Sequence, residues 1–331
     1  MSRADAAAAI LVLGATLYAV FGGADFGAGV WQLLAGRERA ERRERIEARV
    51  SHSLGPVWEA NHVWLIFVLV ILWTAFPDAF APIMETLYVP LALAALGIVL
   101  RGSGFAFGHV LGDVAGRRSN DVFAVSSLIT PFFMGCVVGA IAAGDVEAGG
   151  AGSGLGWVGP LPILIGVLFV AAGAYIASVF LLDDCRRAGD EQLAAYFSQR
   201  AIAAAAVAGI LAAAGLVVLH VDGRYVFDGL IDEGLPFVIA SAVLGALTLI
   251  GLLRGWGRAL RPLAIGAVVT VICGWAIAQY PYLLPESLTV EEGAGAEPTL
   301  LAVIIVFGVA LITVIPSLAL LYRLAQRQEL E

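Results

Sequence analysis

The 331-residue sequence contains no lysine, so all 19 of its basic residues are arginine. It has three cysteines and four histidines, and only 14% of its residues are charged. So few charges exclude a disordered chain, which stays unfolded because it is polar and highly charged. Three cysteines exclude a disulfide scaffold, and no pair among Cys136, Cys185 and Cys273 has metal-ligand spacing. No nucleotide-binding loop and no short repeat interrupts the chain, and nothing in it points to nucleic acid. What the chain has instead is apolar surface: 60% of residues are hydrophobic and the mean hydropathy is +0.90. A soluble domain is roughly half apolar and about a quarter charged. The excess has nowhere to go in water, which excludes a soluble enzyme and leaves an all-α polytopic membrane protein.

A spanning helix needs roughly 20 mostly apolar residues to cross about 30 Å of hydrocarbon. Nine stretches qualify: 6–34, 54–76, 79–101, 120–143, 157–182, 200–220, 236–254, 261–280 and 300–322. None shows the alternating polarity of a barrel strand. The basic flank of the first stretch follows it rather than preceding it, and the run is too long for a secretion signal, so it is expected to be retained. Connections between stretches are too short to hold a soluble domain. Residues 1–331 are therefore expected to form a single integral membrane domain.

The arginines alternate with the spans. Arg37, Arg39, Arg42, Arg43, Arg45 and Arg49 follow the first span, Arg101, Arg117 and Arg118 the third, and Arg186, Arg187 and Arg200 the fifth. Arg254, Arg258 and Arg261 follow the seventh, and Arg323 and Arg327 the ninth; only Arg3 and Arg224 fall on the other side. Basic loops stay in the cytoplasm, which predicts an outside N-terminus and a cytoplasmic C-terminus. Acidic residues such as Asp145, Glu147, Asp222, Asp228 and Glu297 gather in the opposite loops and read as solvated surface.

Ionisable groups inside a bilayer cost several kcal/mol unless paired or hydrated. The few here lie mostly in the first third of the chain. Asp25 sits among four glycines in Phe21-Gly22-Gly23-Ala24-Asp25-Phe26-Gly27-Ala28-Gly29, which points to a local helix break or to very close packing on a neighbour. In Pro56-Val57-Trp58-Glu59-Ala60-Asn61-His62-Val63-Trp64, spacing places Trp58, Glu59 and His62 on one helix face, with Asn61 and Trp64 beside it. Glu59 and His62 can tune each other's proton affinity; a polar knot that only fixes packing is the competing reading. Asp25, Glu59, His62 and Arg101 all fall in the basic-side half of their spans, as a proton entry path requires. Arg101 either pairs with one of the acids or snorkels to the headgroups. Glu85 is expected to reach the outer surface, and Tyr280-Pro281-Tyr282 to form an outer aromatic belt followed by a turn.

The histidines exclude something too. A bis-histidine haem needs two axial ligands facing each other at one depth. His52, His62, His109 and His220 offer no such mid-membrane pair.

Together these motifs resemble subunit II of the cytochrome bd quinol oxidases. Gly23-Ala24-Asp25-Phe26-Gly27-Ala28-Gly29 is similar to that family's Asp-Gly-Phe-Asp-x-Gly-x-Gly signature, with Gly23 at its first acidic position. Pro56 to Leu65 resembles its Pro-x-Trp-Asp/Glu-x-Asn-x-Val-Trp-Leu, with Ala60 where a glycine often stands. Leu100 to Phe105 is similar to its Arg-x-x-x-Phe, and Tyr280 to Thr289 to its late Tyr/Phe-Pro-x-x-x-Pro-x-Ser motif. The resemblance implies two four-helix bundles plus one helix, beside a subunit I that holds haem b, haem d and the quinol site, in a complex that reduces O₂ to water. It allows small accessory subunits and a bound quinone. It also implies that Glu59 lies on a cytoplasmic proton path and that Asp25 has a structural or proton-linked role; the helix spacing adds His62 to that path as an expectation. Trp58 and Trp64 would lie near an oxygen route or the subunit interface, and Asn61 and Arg101 would be structural polar residues. Two other readings of the same residues stand beside it: a proton-coupled transporter with a broken first helix, and a purely structural assembly subunit.

Overall fold

The computed structural model describes the backbone of residues 2–108, 113–150 and 154–326, without the side chains of 54–62, 104–121, 314–315, 318–319 and 321–326. Eleven α-helices account for nearly all of it: α1 (Arg3–Ala35), α2 (Ala40–Ala75), α3 (Pro77–Thr86), α4 (Tyr88–Gly108), α5 (Asp113–Ala143), α6 (Pro160–Arg187), α7 (Glu191–Asp222), α8 (Arg224–Ile231), α9 (Leu235–Leu253), α10 (Leu260–Gln279) and α11 (Glu297–Gln326). Among the described residues six helices are long and apolar enough to cross a membrane, and the bent pair Val63–Ala75 with Pro77–Thr86 makes a seventh if it is one span. Within α4 and α11, the stretches Tyr88–Ser103 and Glu297–Thr313 are apolar as well.

Local chemistry sets several boundaries. Ser2 and Asp5 form a reciprocal cap on α1: the Asp5 N–H donates to Ser2 Oγ at 3.0 Å, and the Ser2 N–H to Asp5 Oδ2 at 2.9 Å. α2 begins at Ala40, well before the apolar run from 54, so its 36 residues extend about 54 Å. Its Arg- and Glu-rich start is a helical extension rather than the loop that composition implied. The 79–101 stretch, expected as one span, is two helices. Pro77 opens α3 at a 117° bend from α2. The chain breaks again at Leu87, because Pro90 has no N–H for the Thr86 carbonyl and its ring crowds that carbonyl. The 280–289 segment, expected as belt and turn, closes into a two-stranded antiparallel hairpin of β1 (Tyr282–Leu284) and β2 (Leu288–Thr289). The Ala148 N–H donates to Ser287 Oγ at 2.7 Å, tying the α5–α6 connection to this hairpin.

The long helices sort by contact. α1 packs on α2 and α5, and α5 on α4; α6 packs on α7 and α10, and α9 on both α7 and α10. α1 and α5 join the two groups by packing on α6, and α11 lies against α1 and α2. At the joint between groups the backbones approach closely. A Cβ built at Gly27 of α1 would run into the Gly173 carbonyl and the Ala174 nitrogen of α6. One at Gly135 of α5 would lie 2.7 Å from the Gly166 Cα of α6. Small residues let membrane helices approach this way. Trp31 Nε1 seals the same seam by donating to the Ala174 carbonyl at 2.8 Å.

At the arginine-rich end, helix termini are stitched by ion pairs. Arg45 of α2 meets Asp190 at 2.9 Å, Arg200 of α7 meets Glu38 at 3.0 Å, and Arg261 of α10 meets Asp183 of α6 at 2.9 Å. Arg261 also pairs with Asp184. Asp190 doubles as the α7 cap, accepting the Leu193 N–H at 3.0 Å.

Two outcomes follow from this packing. Gly27→Val should abolish or strongly reduce recovery of folded protein, since overpacking costs about 1–3 kcal/mol or more and here the obstacle is backbone. Gly209→Ala, with nothing within 4 Å of its Cβ, should leave thermal unfolding in detergent unchanged or slightly raised. Burial pushes the Asp190 carboxyl upward, but the Leu193 N–H and Arg45 outweigh it and hold its pKa below the usual range. A depressed folded pKa gives stability that is present above the unfolded value of about 3.9 and lost as pH falls through the folded value. The melting-temperature gap between the native protein and Asp190→Ala should therefore be full at neutral pH and shrink only below about pH 4.

Candidate functional site

Asp25 and Arg101 meet in the protein interior. Arg101 on α4 has no exposed surface and Asp25 on α1 is 2% exposed. Arg101 Nη2 donates to Asp25 Oδ1 at 2.6 Å and to the Asp25 carbonyl at 3.0 Å. Its Nη1 donates to Ser127 Oγ on α5. The guanidinium is flanked by the rings of Phe123, 3.9 Å from the centroid, and Phe26 at 4.8 Å. Arg101 thus turns inward rather than snorkelling, and one side chain joins α1, α4 and α5.

The glycines explain how this fits. A Cβ at Gly29 would collide with Ser127 Oγ and come within 3.3 Å of Arg101 Nη1. Gly27 makes the α6 contact on another side of the same helix. α1 is continuous through the whole run, so of the two sequence readings, break or close packing, packing is the outcome.

Three buried polar atoms around the pair have no hydrogen-bond partner: Asp25 Oδ2, Arg101 Nε and Tyr18 Oη. Tyr18 lies seven residues before Asp25 on the same face, and its ring covers Gly22. Neither Tyr18 nor Ser127 was singled out by the sequence. The i, i+4, i+7 spacing of Tyr18, Gly22 and Asp25 was the available signal for the first, and the Ser126-Ser127 pair in an apolar run for the second.

The other candidates divide. Trp64 is half-buried on α2 and packs edge-on to Phe67, with centroids 6.3 Å apart. The side chains of Trp58, Glu59, Asn61 and His62 lie outside the described residues. Glu85 is exposed, as expected. His52 and His220 are both exposed, His52 on the Arg- and Glu-rich extension of α2 and His220 at the end of α7, where its ring packs on Phe227. These two do not fit an axial pair for haem. Among the described residues no group of three or more His, Cys, Asp or Glu side chains is placed to hold a metal ion.

Removing one partner of a buried ion pair strands the other charge and costs about 3–5 kcal/mol, whereas replacing both by apolar residues is much less harmful. Asp25→Leu and Arg101→Met should each lower the thermal midpoint sharply. The double variant should melt above at least one of the singles, measured by unfolding of the purified protein in detergent.

The profile of the family described as cytochrome bd terminal oxidase subunit II matches residues 4–325. The chain is similar to the putative cytochrome bd menaquinol oxidase subunit II of Bacillus subtilis (strain 168), 20% identical over 335 residues that cover 95% of this chain and 92% of that one. It is 32% identical over 114 residues to the cytochrome bd ubiquinol oxidase subunit 2 of the same organism, and 30% identical over 132 residues to the cytochrome bd-I ubiquinol oxidase subunit 2 of Escherichia coli (strain K12). Those two stretches span 34% and 39% of this chain and 32% of each relative. Among solved structures, a chain of the bd oxidase from Geobacillus thermodenitrificans superposes with a TM-score of 0.79 at 25% identity, covering 98% of both chains. From residue 4 to residue 325, then, this chain belongs to the cytochrome bd terminal oxidase subunit II family.

Proposed function

We propose that this chain is the non-haem-ligating subunit of a quinol:oxygen oxidoreductase. It would sit in a prokaryotic cytoplasmic (inner) membrane with nine spans, its N-terminus outside and its C-terminus in the cytoplasm. The family match over residues 4–325 carries this reading. The partner is a subunit I that ligates haem b and haem d and receives the quinol; those haems, when bound there, supply the redox chemistry. Reduction of O₂ to water consumes protons, and this chain's part is to hold the complex together and to bring protons from the arginine-rich side.

Glu59 is the proton-accepting group in this proposal, with His62 one turn along the same helix. α2 is continuous and runs back along α1. Gly14 of α1 lies against Phe67 and Val68 of α2, while Ala35 shares a core cluster with Ile46 and Val50. Segment 54–62 lies on α2 between those positions, which supports setting Glu59 near the part of α1 that contains Asp25. The Asp25 carboxylate, pinned by Arg101 through one oxygen, leaves Oδ2 as the atom available to the path. Asn61 and Arg101 hold the polar layer in place, and Trp58 and Trp64 border an oxygen route or the subunit interface. The transporter reading needs a discontinuous first helix, and α1 is unbroken.

A haem-bearing multispanning protein should co-purify with this chain, and the pair should consume O₂ when given quinol. A colourless chain active alone would overturn the proposal. Glu59→Gln should lower oxidase turnover by about tenfold or more with haem spectra unchanged. Full turnover in that variant removes Glu59 from the proton path and leaves a structural role only.

A further inference from the structure

The turn between α9 and α10 reads Arg254-Gly255-Trp256-Gly257-Arg258, and all five residues are exposed. Its backbone is hydrogen-bonded to the last turn of α9. Gly255 adopts a left-handed φ of +71°, the Gly255 N–H donates to the Leu252 carbonyl at 3.3 Å, and the Trp256 N–H to the Gly251 carbonyl at 2.7 Å. This pairing of bonds is the glycine-dependent helix stop in which the residue after glycine reaches back across the last turn. The Trp256 ring then lies over Gly251, where a Cβ would sit 2.7 Å from Cε3.

A third cation joins from another helix. Arg186 of α6 donates Nη1 to the Trp256 carbonyl. The nearby carboxylates are already engaged: Asp184 by Arg261, and Asp183 by Arg261 and Arg187. Among the described residues none of Arg186, Arg254 and Arg258 pairs with a carboxylate. The C-terminal end of the α9 dipole and the N-terminal end of α10 meet in this turn and offset one another, so the surplus charge belongs to the guanidinium groups.

An exposed apolar stripe leads to those cations. Along α9, Ile239, Val243, Leu247, Ile250 and Leu253 are 54%, 50%, 36%, 40% and 65% exposed. From Val243 to Leu253 the stripe rises roughly 15 Å, about half the hydrocarbon thickness of a bilayer. Trp256, 36% exposed, sits at the level where it ends, as an interfacial tryptophan does. A leaflet-long apolar track, an aromatic at its end and, just beyond, three guanidinium groups with no carboxylate partner among the described residues match the parts of one molecule.

We propose that the Arg254–Arg258 turn with Arg186 is a binding site for the phosphate of an anionic phospholipid whose acyl chain lies along α9. Arginine suits this because its planar fork donates two parallel bonds to phosphate oxygens. Inorganic phosphate offers the same oxygens but nothing for the stripe, so the lipid is the occupant. The assignment stands apart from the proton path and needs no part of it.

The test uses the purified complex, delipidated in a neutral detergent. Retained lipid is counted by native mass spectrometry, and thermal unfolding is followed after adding phosphatidylglycerol, phosphatidylcholine or inorganic phosphate. Phosphatidylglycerol should be retained and raise the melting temperature, and the other two should not. Arg254→Gln/Arg258→Gln should weaken phosphatidylglycerol binding by about thirtyfold, since each arginine near an anionic lipid surface is worth about a factor of five. Both changes are at exposed positions, so the lipid-free melting temperature of the variant should equal that of the native complex and certifies its fold. Equal binding of phosphatidylcholine, an equal response to inorganic phosphate, or unchanged phosphatidylglycerol retention in the variant would each overturn the assignment.

Discussion

A guanidinium sealed inside an apolar protein has no stable state unless something comes to meet it, and much of this architecture serves that requirement. Arg101 sits on α4 with no access to solvent. Its charge is balanced by Asp25 from α1, its remaining donors are taken in part by Ser127 of α5 and a main-chain carbonyl, and its faces are covered by Phe26 and Phe123. One residue therefore fixes the mutual position of three helices. In hydrocarbon, where apolar side chains gain little from meeting one another, such polar contacts and close van der Waals packing carry helix association.

The glycine-rich run around Asp25 belongs to the same device. Gly29 gives Ser127 and Arg101 room, and Gly27 lets α6 approach until the two backbones touch. α1 therefore shares a polar node with α4 and α5 on one side and a backbone seam with α6 on another. At the arginine-rich ends a second layer of ion pairs, from Arg45, Arg200 and Arg261, holds the protruding helix termini in register. The cations that this layer leaves over, around Trp256, face outward beside an apolar stripe, where a lipid rather than the protein can neutralise them.

Hydropathy located the long helices because an apolar run of spanning length has a single physical use. It was blind to direction. The 79–101 run looked like one span, and Pro77, Pro82 and Pro90 were the only hints that the chain turns at Phe76 and again at Leu87. It was equally blind to helical extensions, since the charged start of α2 is stabilised by pairs such as Arg43–Glu47, four residues apart at 2.6 Å, and not by burial. Of the site, Asp25 and Arg101 could be named in advance because charged residues in oil are costly. Tyr18 and Ser127 carried only a weak signal in spacing and pairing, because hydroxyls are common in membrane helices and their aim is what sets them apart.

By itself, the sequence determined that this is a helical membrane protein, and that Asp25, Glu59, His62 and Arg101 are ionisable residues within its apolar stretches. Each of those conclusions follows from transfer energies, which depend on composition along the chain and need no knowledge of neighbours. Only the tertiary structure decided that Arg101 pairs with Asp25 instead of reaching for the headgroups, and that the glycines serve close packing rather than a break. Those choices depend on which helices lie side by side, and the pairing partners are 76 residues apart in the chain.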